Sequence, residues 1–204
     1  SCLVGSEMCI RDRFIIGYIF IKGVPNLSLD LFSLKYSSSN QSMLPSIINT
    51  VYLTALTLLL SVPIGIFSAI YLAEYSRKNS FFVKIINIAN ETLSGIPSIV
   101  YGLFGFLAFV ISKKWGYSLL AGVITLSIMV LPLIIRTSQE AMLGVDDTFR
   151  EASYGLGAGK LRTVFKIVLP SAMPGILSGI ILAIGRIVGE TAALIYTAVS
   201  YTHL

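Results

Sequence analysis

Histidine and cysteine are nearly missing: 204 residues contain one histidine, His203, and two cysteines, Cys2 and Cys9. Charge is also scarce, at 12% of residues. The opening SCLVGSEMCIRDR and the closing VSYTHL resemble translated adapter sequence at the ends of metagenomic reading frames, so residues 1–13 and 199–204 are expected to be non-native tails. All three soft-ligand or thiol side chains fall in those tails. The remaining body, 14–198, has no Cys and no His, which excludes disulfides, thiol nucleophiles, histidine bases and most transition-metal sites. Neighbouring apolar runs carry no paired carboxylates either. No catalytic residue and no metal ligand is expected.

What is abundant is apolar sequence: 55% of residues are hydrophobic and the mean hydropathy is +0.83, above the range of ordinary soluble domains. Four runs are long enough to cross a hydrocarbon core as helix, namely Val51 to Ala73, Thr92 to Ser112, Trp115 to Ile135, and Ile167 past Ile184. They are continuous rather than alternating, which favours helices over a barrel. A shorter run, Phe14 to Ile21, reads as a first span clipped on its N-terminal side. The expected fold class is therefore all-α, a polytopic transmembrane helical bundle truncated at both ends. Prolines 63, 97, 132 and 174 lie inside the runs and predict kinks. Gly95, Gly102, Gly105, Gly175 and Gly179 offer small surfaces for close helix approach.

The net charge of +5 carries an orientation signal rather than a nucleic-acid signature. Alternate loops hold Arg77, Lys78, Lys84, Arg136, Arg150, Lys160, Arg162 and Lys166 on one side, against Lys22, Lys35, Lys113 and Lys114 on the other. The richer side is expected to be cytoplasmic, leaving the polar Pro25 to Gln41 stretch external. Tyr71, Tyr75, Tyr101 and Trp115 lie near expected span ends, where aromatic side chains suit the interface. Glu74 and Glu91 flank the first basic loop, a position in which a carboxylate costs little. Ser98 and Tyr101, beside Pro97, are candidates to line a pathway.

A hydrophilic island, EASYGLGAGKLRTVFKIVLP from Glu151 to Pro170, separates the last two long runs. Thr148 and Glu151 have capping-box spacing, so a helix is expected to begin there. Gly155, Gly157 and Gly159 should break it. A second helix from Lys160 would carry Leu161, Val164, Phe165 and Val168 along one face. GLGAGKL is not a phosphate-binding loop, because Tyr154 stands where its first glycine belongs and Leu161 where a magnesium-binding hydroxyl is needed. The spacing instead resembles the EAA signature of binding-protein-dependent ABC importer permeases. The matching residues are Glu151, Ala152 and Ser153, then Gly157, then Ile167, Leu169 and Pro170. Ser153 replaces the second alanine and stays small. That resemblance implies a coupling loop, about 137–170, that seats on a separate ATPase subunit.

The last run is apolar except for Arg186 and Glu190, four residues apart and so expected on one helical face. Charge inside a bilayer costs at least about 2.5 kcal/mol per group on insertion scales and faces protein or water. The two side chains could simply neutralise each other and hold helices together. Alternatively, Arg186 could contact an anion, with Glu190 tuning its charge, since a guanidinium matches the oxygens of phosphate or sulfate.

The segments TVYLTALTLLLSVPIGIFSAIYLAEY, SGIPSIVYGLFG, SLLAGVITLSIMVLPLIIRTSQEA and AIGRIVGETAAL are similar to the PstA family of phosphate ABC importer permeases, over nearly all of 14–198. The resemblance implies a MetI-like, type I permease of six spans in a bacterial or archaeal cytoplasmic membrane. It implies a substrate path at Arg186, Glu190 and Thr191. It also implies a PstC-like second permease, two PstB-like ATPase subunits that bind the ATP, and an extracytoplasmic PstS-like phosphate-binding protein. This chain itself would need no cofactor. Many members follow the threonine with Ala-Pro-Leu where this chain has Ala192, Ala193 and Leu194. A permease for molybdate or sulfate is the alternative, and an ion-coupled secondary transporter a more distant one that leaves the island's spacing unexplained.

Overall fold

The computed structural model describes residues 2–24, 44–76, 81–190 and 192–197, without the side chains of 2–12, 82, 192 and 196. The chain divides into two units, residues 1–49 and 50–204. In the first, α1 (Cys2–Gly23) runs unbroken across Arg13 and Phe14. No glycine or proline lies between Met8 and Ile16 to stop it, so no structural break marks the expected edge of a tail. The stretch Pro25 to Gln41, Arg77, Lys78 and residues 199–204 lie outside the described residues.

Every regular element among the described residues is helical. Among the described residues three helices are long and apolar enough to cross a membrane: Leu44–Tyr75, Leu119–Leu143 and Lys160–Val188. The first consists of α2 (Leu44–Ile70) and a π-helical turn, Tyr71–Tyr75. Its hydroxyls bond back into the helix, Thr54 Oγ1 to the Thr50 carbonyl and Ser61 Oγ to that of Thr57, each at 2.7 Å. Polar groups in lipid need such internal partners.

The expected second run is not one straight span. Helix α3 (Phe81–Gly95) and helix α4 (Ser98–Gly105), which continues π-helically as Phe106–Ser112, meet at 99°. Proline 97 causes the corner: it sits in an extended conformation at φ −59°, ψ 139° just before α4, and a proline pushes its predecessor out of helical geometry. The hydroxyl of Tyr101 donates to the Leu93 carbonyl at 2.7 Å and braces the turn. The phenol of Tyr101 is buried in the core and committed to this bond.

The third run also begins later than expected. Lys114 and Gly116 adopt positive φ, and Ser118 caps α5 (Leu119–Leu143) by accepting from the Ala121 N–H at 3.3 Å. Trp115 therefore lies in the connecting turn, its ring stacked on Phe109. Helix α5 is the centre of the bundle, with Leu126, Met129, Val130 and Ile134 almost wholly buried. It then leads into the island, formed by α6 (Asp147–Gly155) and α7 (Lys160–Thr163). A π-helical segment, Val164–Val168, joins α7 to α8 (Leu169–Val188), and α9 (Ala192–Thr197) follows.

Lipid is as apolar as leucine, so helices in a bilayer gain by close packing rather than by burial from water. Helices α5 and α8 meet along matched small residues. A Cβ at Gly175 would come within 2.6 Å of the Ala141 methyl, and one at Gly179 would overlap the Thr137 side chain. Gly95, by contrast, faces open space. Gly179→Val should cost about 1–3 kcal/mol by overpacking and lower the thermal midpoint of the purified chain in detergent. Gly95→Ala should leave that midpoint in place.

Candidate functional site

The island is a hairpin closed by its own backbone. Helix α6 is capped not by Thr148 but by Asp146, whose Oδ1 accepts from both the N–H and the hydroxyl of Thr148 at 2.9 Å. Those two donors hold the Asp146 carboxyl below its ordinary pKa. The capping-box expectation placed the start two residues late, because an aspartate two positions earlier offers a stronger acceptor. At the other end, the Gly157 N–H donates to the Tyr154 carbonyl at 2.9 Å and the Ala158 N–H to that of Ser153 at 3.1 Å. Gly157 has φ +79°, a conformation that costs other residues about 1–2 kcal/mol.

Ser153, the residue that departs from Glu-Ala-Ala, binds the hairpin together. Its hydroxyl lies 2.8 Å from Thr163 Oγ1, both side chains are buried, and the bond joins α6 to α7. A serine here does what alanine could not. Glu151 and Ala152 are exposed on α6, Ile167 and Leu169 are half-buried, and Pro170 stands in the first turn of α8. The expected single apolar face of the second helix is instead split: Val164 and Val168 are fully buried, while Leu161 and Phe165 are exposed. The wider π-helical turns at Val164–Val168 shift the angular register that an α-helical reading assumes.

Between α6 and the π-helical segment lies a cleft of about 380 Å³, walled by Phe149, Ala152, Leu156 and Ile167 and edged by Arg162 and Lys166. Leu156 projects from the hairpin tip, 90% exposed. Arg150, which the sequence did not single out, anchors the base of the island through an ion pair to Glu74 at 2.8 Å. Lys160 Nζ lies 4.9 Å from the Tyr75 ring centroid. Both contacts put the end of α2 and the island on the same side, as the alternation of loops requires. The Glu74 side chain, 7% exposed, is shielded by this ion pair.

The intramembrane charges are arranged differently from the expectation. Helix α8 ends at Val188, with Gly189 as its C-cap, so Arg186 and Glu190 do not share a helical face. Glu190 Oε1 accepts from the Ala193 N–H at 3.2 Å and caps α9. No ion pair joins Arg186 to Glu190 among the described residues. Arg186 is half-buried in the last turn of α8 and is an electrostatic neighbour of Tyr101 on α4. Thr191 lies outside the described residues.

Residues 61–202 match the family described as binding-protein-dependent transport system inner membrane component. The chain is 37% identical over 186 residues to the probable ABC transporter permease protein YqgI of Bacillus subtilis, covering 90% of this chain and 63% of that protein. It is 36% identical over 189 residues to the phosphate transport system permease protein PstA of Haemophilus influenzae, covering 92% and 66%. The PstA of Yersinia pestis is 39% identical over 182 residues, covering 88% and 61%. The chain thus spans between 61% and 66% of the length of these relatives. A solved structure of the MetNI methionine ABC transporter in inward-facing conformations shares the fold, with TM-score 0.57 at 20% identity over 72% of this chain and 68% of that one.

The Asp146 cap makes a pH prediction. Its folded pKa is lowered, so its contribution is complete above the unfolded aspartate value of about 3.9 and fades as pH falls through the lower folded value. Hydrogen exchange at the Thr148 amide should therefore quicken only in strong acid. In Asp146→Ala it should be fast already at neutral pH.

Proposed function

Because the chain belongs to the family of binding-protein-dependent transport system inner membrane components, we propose that it is the permease subunit of an ABC importer carrying inorganic phosphate. The island is the part that carries this reading: a hairpin fixed at its base by a buried ion pair, locked across its two helices by Ser153 and Thr163, and apolar at its tip. Such a knob seats in a groove of a separate ATPase subunit, which binds and hydrolyses the ATP. Its displacement tilts the spans attached to it. Similarity to phosphate permeases of two organisms supports the choice of ion.

In this reading the island faces the cytoplasm, with Glu151, Ala152, Ser153, Gly157, Ile167, Leu169 and Pro170 forming the coupling element. A second, PstC-like permease completes the path, two PstB-like ATPases drive it, and a PstS-like protein delivers phosphate from outside. Arg186 provides the anion contact. Its guanidinium is not consumed by Glu190, whose carboxylate holds the start of α9, so it stays available to phosphate oxygens. Glu190 and Thr191 set the geometry of the turn that follows. Transport requires affinity moderate enough for release, and a single arginine meets that need better than an arginine cluster.

Two substitutions separate coupling from conduction. Gly157→Val forces a β-branched residue into positive φ without a clash, since nothing lies within 4 Å of the added Cβ. Phosphate uptake per ATP should drop about tenfold while the complex still assembles. Arg186→Gln should abolish uptake of labelled phosphate with assembly intact. Parental uptake inhibited by molybdate or sulfate as strongly as by unlabelled phosphate would move the substrate to another oxyanion.

A further inference from the structure

The island is covalently continuous with α5 and α8 only, yet its charged anchor, largely shielded from solvent, reaches a third helix. Glu74 lies in the π-helical turn that ends α2, its side chain 7% exposed, and Arg150 in α6 is 13% exposed. Arg150 donates to Glu74 Oε1 through Nη2 at 2.8 Å and Nε at 3.1 Å. Nη2 also reaches the Met142 carbonyl at 2.8 Å, and Nη1 the Val145 carbonyl at 2.7 Å and Asp147 Oδ1 at 2.9 Å. One guanidinium thereby binds the end of α2, two carbonyls at the junction where α5 gives way to the island, and the first turn of α6. Lys160 over the Tyr75 ring adds a contact from α7 to the neighbouring residue of the same π-helical turn.

A buried ion pair is a poor way to gain stability, because desolvation of both charges offsets their attraction and an apolar pair of similar size does as well. What it supplies is one defined geometry. The π-helical turn fits that purpose, since its extra residue per turn re-aims the side chains that follow.

We propose that Glu74 and Arg150, backed by Tyr75 and Lys160, form a latch that fastens the coupling island to the end of α2, so that movement of the island is imposed on α2 as well as on α5 and α8. The inference rests on the coupling role of the island. Glu74 and Arg150 are positioning residues: they touch no substrate and act through the hairpin they hold.

The test uses the complete importer in proteoliposomes and reads substrate moved per ATP hydrolysed. Glu74→Gln and Arg150→Gln should each lower that ratio about tenfold while ATP hydrolysis continues. The double variant should be no worse than the worse single variant, because a shared bond is lost only once. Tyr75→Leu, at a more exposed position, should lower the ratio about twofold and decides the matter if the charge variants do not assemble. An unchanged ratio in Glu74→Gln, or in Tyr75→Leu where the charge variants are lost, overturns the latch. So does a double variant whose deficit is the product of the two singles. A parental complex that moves a different oxyanion defeats the phosphate assignment alone, and the ratio is then read with that ion. Full coupling in Gly157→Val defeats the coupling role itself, whatever the Glu74 variants do.

Discussion

A lever in a bilayer transmits force only if its base does not rock, and here the base is held by a charge pair largely shielded from water. The Glu74–Arg150 pair joins two elements far apart in the chain. It crosses 76 positions of sequence and is nearly closed to solvent on both sides. The Ser153–Thr163 hydroxyl bond then stiffens the hairpin between its own helices. With these two contacts a segment of two short helices, neither long enough to be stable alone, becomes a rigid body.

In the proposed mechanism the rest of the bundle transmits what that body does. Helix α5 is buried along most of its length and meets α8 through small residues facing small residues, so the two spans flanking the island move as a packed pair rather than sliding on lipid-like side chains. The 99° corner at Pro97 brings α4 against α9, which follows the turn after Arg186. A tilt of α8 would therefore be felt at the turn that carries Arg186 and Glu190, which connects the proposed coupling element to the proposed anion contact by direct packing.

Much of this was legible in the sequence where the signal is local or compositional. Hydropathic runs located the spans, and the spacing from Glu151 to Pro170 located the island, because both follow from residues close in sequence. Sequence spacing failed where tertiary contacts or backbone irregularity decide. Arg150 looked like one more basic loop residue, since its partner is 76 positions away. Arg186 and Glu190 looked like a helical pair because nothing short of the structure ends α8 at Val188. The Pro97 corner could have been expected more strongly: Gly95 and Pro97 flank one residue, a combination that breaks helices rather than kinking them. The π-helical turns at Tyr71–Tyr75 and Val164–Val168 leave no comparable signature, and the second of them misaligned the apolar face assigned to the second island helix.

The central claim is that work from a nucleotide-hydrolysing partner enters through the hairpin tip, and Leu156, 90% exposed there, is the place to look. A photoreactive amino acid at position 156 in the assembled importer should form an adduct with the ATPase subunit, in a yield that differs between nucleotide-free and ATP-bound states. A complex that transports and hydrolyses ATP yet gives no such adduct would contradict the claim.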